Sequence, residues 1–314
     1  MKKVGQSLLM ISNLIRLIVG ALTLLASLPL AHAEERMIDL PTGAHLYGET
    51  KGGGRPLLAV HGGLGLDHSY FQPWLDPLET SFQMIYPDLR GNGRSASVPD
   101  AEFTLDKMVD DLDALRVAMG IKQWAVLGHS YGGFVAQAYA LKYPDAVTDL
   151  ILANTSPAPA FIPQDASKLL LTAMMNPQIG EAFGMLGKIA AKTEPEGGDE
   201  QFKALWRVVL PAYFATPPSE ASIADDKAVY REHAFVLGAQ LTVGFDTRPS
   251  LSKLTMPALV LVGRRDAILP LNHSEMLSQL IPKAKLVVFD RSGHFPFIEE
   301  RERFVAAVRA FLGK

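Results

Sequence analysis

Five consecutive residues, Gly128-His129-Ser130-Tyr131-Gly132, constrain this chain more than any others. They stand between Trp124-Ala125-Val126-Leu127, a short apolar run that reads as a buried strand, and Phe134-Val135-Ala136-Gln137-Ala138-Tyr139-Ala140-Leu141, which reads as a helix. Glycine, any residue, serine, any residue, glycine in that setting is a nucleophile elbow. The backbone turns from strand to helix so sharply that the serine takes strained dihedrals and its hydroxyl is exposed. Strand and helix pass closely at the turn, so the flanking residues must be small; Gly128 and Gly132 meet that need, and Gly133 keeps the space open. The helix start after Ser130 also aims free N–H groups at the site.

The rest of the chain alternates strand and helix around this point. Segments 37–40 and 45–49 read as an opening hairpin about Pro41-Thr42-Gly43, and 56–60 as a buried parallel strand. A helix is expected over 70–78 and a strand over 82–86. Thr104 caps a helix whose apolar side is Leu105, Met108, Val109, Leu112, Leu115 and Val117, and Gly120 closes it. A strand follows at 147–153. From 157 to 249 the alternation stops, and helical pieces at 169–175, 179–191, 201–214 and 224–241 are separated by polar breaks. Alternation resumes with a strand at 258–262, a helix at 272–280, a strand at 285–289 and a closing helix at 299–311. The expected architecture is α/β: a mostly parallel central sheet flanked by helices, with core segments 34–156 and 250–314 and a helical cap at 157–249 that builds much of the substrate pocket.

The first 33 residues read as something other than fold. Lys2 and Lys3 precede an apolar segment at 17–30, and Ala31-His32-Ala33 fits a small-residue cleavage site, the pattern of a secretory signal peptide. Arg16 lengthens the positive region, so an uncleaved membrane anchor is the competing reading. Cleavage near Ala33 implies a periplasmic or secreted protein with no stable membrane partner. Residues 1–33 hold three basic residues and no acidic one, so the formal net charge of −3 becomes −6 without them. A mildly acidic chain has no general attraction for nucleic acid, which leaves a small molecule or short peptide as the expected partner. The chain has no cysteine, so disulfides and thiolate metal sites are excluded, and no paired-histidine motif suggests a metal. No cofactor is expected.

Ser130, Asp266 and His294 occur in the order serine, acid, histidine, each just past an expected strand. Groups beyond the carboxyl ends of parallel strands converge on one edge of a sheet, so their separation in sequence is no obstacle. In that arrangement His294 takes the serine proton and returns it to the leaving group, while Asp266 holds the histidine tautomer. Backbone N–H groups of Tyr131 and of Gly63, in the His61-Gly62-Gly63-Leu64-Gly65 loop, are the expected oxyanion donors. His61, Gly62 and Gly65 support that loop, and Asp88, Arg90 and Arg94 brace the loops beneath. His129 is expected to point away from Ser130. Asn154 sits where an acid could stand, but an amide cannot carry that charge. Asp165 and Asp246 fall away from any strand.

On these residues the chain resembles the α/β-hydrolase superfamily over about 37–312. The His61–Gly65 loop is similar to the HGGPG loop of the proline iminopeptidases. Asp88-Leu89-Arg90-Gly91-Asn92-Gly93-Arg94-Ser95 is similar to their DQRGxGRS segment, and Gly263-Arg264-Arg265-Asp266 and Ser292-Gly293-His294 to their acid and histidine motifs. The resemblance implies cofactor-independent removal of an N-terminal residue, usually proline, from small peptides. It also implies a cap glutamate for the substrate amine; Glu181, Glu194, Glu196, Glu200, Glu220 and Glu232 are available, and Glu232, inside an expected helix, is the choice. Leu64 and Leu89 depart from that branch. A carboxylesterase or acyl-amide hydrolase, and a catalytically silent ligand-binding protein of the same fold, therefore stay open.

Overall fold

The computed structural model describes residues 34–159, 167–216 and 227–313. The expected leader, Asp165 and Glu220 lie outside the described residues. The strands are β1 (Glu34–Asp39), β2 (His45–Gly52), β3 (Arg55–Val60), β4 (Phe82–Pro87), β5 (Trp124–His129), β6 (Val147–Ala153), β7 (Ala258–Gly263) and β8 (Ala284–Phe289). They form one sheet in the order β1-β2-β4-β3-β5-β6-β7-β8. The hairpin β1–β2 and the β2–β4 pair are antiparallel, and every other pair is parallel.

The apolar runs behave as strands buried on both faces. Leu58, Val60, Val126, Leu150, Leu152 and Val260 point into one hydrophobic cluster. Their neighbours Leu57, Ala59, Leu127, Ile151, Leu259 and Leu261 point into another. That is the period of two expected of a pleated strand, with no polar face to spare. The first face is covered by α1 (Leu105–Ala118), α2 (Tyr131–Lys142) and α7 (Leu271–Leu280), the second by α9 (Arg301–Phe311). Thr104 caps α1 through its side chain, accepting the N–H of Lys107 at 3.2 Å. Between β6 and β7 the chain inserts α3 (Ser167–Met174), α4 (Pro177–Ala190), α5 (Asp199–Val209) and α6 (Glu232–Val243).

Several boundaries differ from expectation, each for a local reason. The helix expected over 70–78 is two short 3-10 turns, His68–Phe71 and Asp76–Thr80, because Pro73 and Pro77 cannot donate to a continuous helix. The closing helix is interrupted at Glu300, which leaves helical dihedrals (φ −130°, ψ 48°) between α8 (Pro296–Glu299) and α9. The piece expected over 201–214 stops at Val209 and continues as a 3-10 turn, Leu210–Tyr213, at Pro211. Of the piece expected over 224–241, residues 224–226 lie outside the described residues, and the helix begins at Glu232, since Arg231 is extended.

The strand ends lie close to one level. Val60 of β3 lies beside Gly128 of β5, Gly128 beside Leu152 of β6, and Ala153 beside Leu261 of β7. The segments that leave these four parallel strands therefore meet above one edge of the sheet.

Candidate active site

Ser130 leaves β5 with φ 54° and ψ −122°, a conformation that L-residues rarely hold. Such strain costs on the order of 1–3 kcal/mol and must be held by its surroundings. The holding groups are backbone: Ser130 N–H donates to Ala153 at 3.0 Å, and Ser130 C=O accepts from Gly133 N–H at 2.9 Å and Thr155 Oγ1 at 2.8 Å. The closeness demanded of the turn is real. A Cβ at Gly132 would overlap the carbonyl oxygens of Val60 and His61, so only glycine fits there.

Asp266 follows β7, and His294 follows β8. Both are buried, and His294 Nδ1 lies 2.8 Å from Asp266 Oδ2. The carboxylate accepts three more bonds: Oδ2 from Asn154 Nδ2 at 2.8 Å, and Oδ1 from the N–H groups of Ile268 and Leu269 at 2.9 and 3.0 Å. A carboxylate surrounded by donors can only accept, so the proton of the pair sits on His294 Nδ1, and Nε2 is left as the basic nitrogen. Nε2 has no hydrogen-bond partner among the described residues. No hydrogen bond joins it to Ser130 Oγ in this structure, although Ser130 and His294 line the same cavity. Asn154 does more than fill the place of an acid. Its amide also donates to the Gly293 carbonyl at 3.0 Å, tying the acid to the histidine loop. Glu299 holds that loop from the other side, accepting Gly293 N–H at 2.6 Å and, from the insertion, Ala215 N–H at 2.8 Å.

The loop after β3 is fixed by two neutral histidines. His61 accepts Leu89 N–H at Nε2 (2.9 Å) and faces the Gly62 carbonyl with Nδ1 (2.9 Å), and burial holds its pKa below the usual histidine range. His129 turns its ring to Tyr70 and to the histidine loop. Its Nδ1 is 2.9 Å from the Tyr70 hydroxyl and its Nε2 2.9 Å from the His294 carbonyl. A carbonyl only accepts, so Nε2 carries the proton and Nδ1 accepts from Tyr70. Burial, with His294 nearby, pushes the His129 pKa well down. The Tyr70 oxygen in turn accepts the N–H of Gly62. With that donor occupied, the next N–H in the loop is that of Gly63, which has no acceptor among the described residues and lines the cavity. Tyr131 begins α2, so its N–H has no intrahelical acceptor.

Asp88, Arg90, Arg94 and Gly65 do not line this cavity. Arg90 makes a two-pronged pair with Asp111 of α1, both bonds 2.7 Å. Arg94 reaches Asp67 at 2.8 Å, and Gly65 N–H reaches Asn92 at 3.1 Å. Asp88 accepts Arg94 N–H at 2.8 Å and His68 Nδ1 at 2.5 Å. His68 also lies 3.5 Å from Glu49 and stacks between Tyr47 and Tyr86. Burial alone would lower its pKa, but the two carboxylates outweigh burial and carry it up to about 9. Glu49 moves the opposite way, to about 2, because bonds from His68, Gln72 and Lys51 overcome its burial.

These shifts set a pH window for stability. A raised histidine pKa contributes stability in full below its ordinary value of 6.5, and the contribution is lost as pH rises through about 9. The lowered Glu49 contribution is present above 4.5 and is lost as pH falls toward 2. Unfolding free energy should therefore fall by up to about 3 kcal/mol between pH 6.5 and 9. Urea titrations across that range should show the slope, and His68→Gln should flatten it. An unchanged slope in the variant would contradict this assignment.

The cavity beside Ser130 has a volume of about 200 Å³. Core loops and the insertion both wall it, the latter with Trp206, Tyr213, Phe235 and Thr242. Among the described residues that line it, the side chains apart from Ser130, Thr242, the two histidines and the hydroxyls of Tyr70, Tyr131 and Tyr213 are hydrocarbon or aromatic, and none is Asp or Glu. Glu232, expected to meet a substrate amine, is not brought here. It opens α6, where its buried carboxylate accepts Gly198 N–H and its own N–H donates to Asp199 at 2.9 Å, so that α5 and α6 cap one another. The other cap glutamates within the described residues, Glu181, Glu194, Glu196 and Glu200, are also absent from the lining. Among the described residues, no group of His, Asp and Glu is placed to hold a metal ion.

A model of the alpha/beta hydrolase fold family matches residues 55–301. The chain is 27% identical over 270 residues to the pimeloyl-[acyl-carrier protein] methyl ester esterase of Aliivibrio salmonicida (strain LFI1238), with 85% of this chain and 95% of that one covered. It is 29% identical over 278 residues to the proline iminopeptidase of Heyndrickxia coagulans, covering 84% and 92%. A solved thermophilic esterase from Thermogutta terrifontis is similar in structure, with a TM-score of 0.63, 28% identity and coverage of 90% and 98%.

Proposed function

The chain belongs to the alpha/beta hydrolase fold family, and from that membership we propose that it is a serine hydrolase cleaving esters of apolar acyl groups, with Ser130, His294 and Asp266 as its reacting and orienting residues. The observation that carries the choice of ester is the lining of the cavity: apolar walls around Ser130, with no carboxylate among the described residues there. A substrate ammonium in that space would be desolvated without a partner, at a cost of several kcal/mol. An apolar acyl group meets no such penalty and gains from the area it buries.

In the proposed reaction Ser130 Oγ attacks the acyl carbon and its proton passes to His294 Nε2. The N–H groups of Gly63 and Tyr131 take the developing oxyanion. The C–O bond then breaks, the alcohol leaves with the proton from Nε2, and an acyl-enzyme remains on Ser130. Water attacks the acyl carbon, gives a proton to Nε2, and the carboxylic acid is released as Ser130 recovers its hydrogen. Asp266 keeps Nδ1 protonated and steadies the imidazolium throughout.

The aminopeptidase reading has its own support in the His61–Gly65 loop, the Asp88–Ser95 segment and the similarity to a proline iminopeptidase. Matched substrates separate the two. We expect turnover of short and medium acyl p-nitrophenyl esters, and of prolyl-β-naphthylamide no better than of its N-acetylated form. Strong turnover of the free amine, abolished by acetylation, would overturn the esterase choice in favour of the aminopeptidase.

A further inference from the structure

A second cavity, of about 130 Å³, adjoins the first. The two share Leu66, Tyr70, Trp206 and Phe295 as walls. The second compartment is strongly aromatic: Trp74, Phe214 and Tyr230 complete the ring of Trp206, Tyr70 and Phe295. Its volume is close to that of an apolar cavity known to take up one benzene molecule.

Among the described residues, the second compartment presents no unpaired charge. Asp67 lines it, but both carboxylate oxygens are occupied. One accepts from the N–H and hydroxyl of Ser69 at 3.0 and 2.5 Å, the other from Arg94 and Val229 N–H at 2.8 and 3.0 Å. Arg94 neutralises the charge, and no lone pair faces a free cation. Gln72, also on the lining, donates its side-chain amide to Glu49.

The walls it shares with the first cavity bear on which part of a substrate it serves. The leaving oxygen must lie near His294 Nε2 to take its proton. Phe295 follows His294 directly and is part of the shared wall, and Ile298 of the same segment lines the second compartment alone. Phe134, Leu64 and Thr242 line the first cavity and not the second. We propose that the second compartment binds the leaving group, and that the natural substrates are esters of a neutral, ring-sized alcohol or phenol whose acyl part occupies the cavity beside Ser130. This substrate class rests on the serine-esterase reading above.

The test compares methyl and benzyl esters of one acid, butanoic acid, in the wild type and in Ala228→Phe, which fills the compartment from its lining. The wild type should favour the benzyl ester in kcat/KM by about tenfold or more, the discrimination an apolar pocket can supply. Filling should bring the two esters within about twofold of one another while methyl butanoate is hydrolysed at its original rate, which also shows that the variant folds. Trp74→Ala should move the other way and admit a naphthylmethyl ester. A benzyl preference that survives filling, or a filled variant whose acyl-length profile changes instead, would overturn the inference. Methyl-ester turnover with no ring preference in the wild type overturns it while leaving the serine-esterase reading intact; absence of turnover on every ester, with no covalent capture of Ser130 by a fluorophosphonate, removes both.

Discussion

Replacing Ser130 with alanine should lower kcat for a small activated ester by on the order of 10⁶, to a residue of activity that binding and the oxyanion donors alone supply. The size follows from the proposed reaction, in which the side chain removed carries the atom that bonds to the acyl carbon. The fold should survive. Ser130 Oγ makes no hydrogen bond to a described residue, and the turn is held through the backbone of Ala153 and Gly133 and the hydroxyl of Thr155. Alanine inherits the positive φ, so the strain is unchanged and the melting temperature should move by no more than a few degrees, roughly. Steady-state kinetics with a circular-dichroism melt checks both. Full activity in the variant would end the assignment of Ser130.

Replacing Asp266 with asparagine should cost on the order of 10⁴ in kcat, by a different route. In the native site four donors converge on the carboxylate: His294 Nδ1–H, Asn154 Nδ2 and the N–H groups of Ile268 and Leu269. An amide has one accepting oxygen and an NH₂ that must face at least one of those donors. If the NH₂ faces His294, the histidine is driven to the tautomer with its proton on Nε2 and can no longer take one from serine. If it faces Ile268 and Leu269, buried N–H groups are orphaned at about 1–3 kcal/mol each. The variant should therefore lose activity far more than stability, and urea unfolding beside kcat distinguishes the two. A loss of less than about tenfold would mean that Asp266 does not set the tautomer.

The contrast between what the residues disclose in order and what they disclose only in space is clear at this site. Ser130, Asp266 and His294 are legible because each is the polar break after an apolar strand, and the glycines beside Ser130 carry a steric signature that few other turns need. The sheet is legible for the same reason: Leu57–Val60 of β3, Trp124–Leu127 of β5, Leu150–Ala153 of β6 and Ala258–Val262 of β7 are buried and apolar without interruption. Asn154 could be read only as an excluded acid, because its two bonds, to Asp266 and Gly293, span more than a hundred residues. Tyr70 and His129 give no local sign of linking the Gly62 N–H to the His294 carbonyl; that path exists only once three loops are brought together. Glu232 shows the opposite error. A charged residue at a helix start reads as a free functional group, yet helix ends carry unsatisfied N–H groups, and one oxygen of its carboxylate accepts the N–H of Gly198. Helix boundaries shifted at Pro73, Pro77, Pro211, Arg231 and Glu300, where local backbone geometry overrides apolar spacing.

The central claim is that Ser130 is a nucleophile activated by its setting, and covalent capture tests it most directly. The protein should react with a fluorophosphonate in one-to-one ratio, and peptide mapping by mass spectrometry should place the phosphonyl group on Ser130, with no adduct in the Ser130→Ala variant. A phosphonyl group found on another serine, such as Ser156, or an enzyme that hydrolyses esters while remaining unlabelled, would contradict the account.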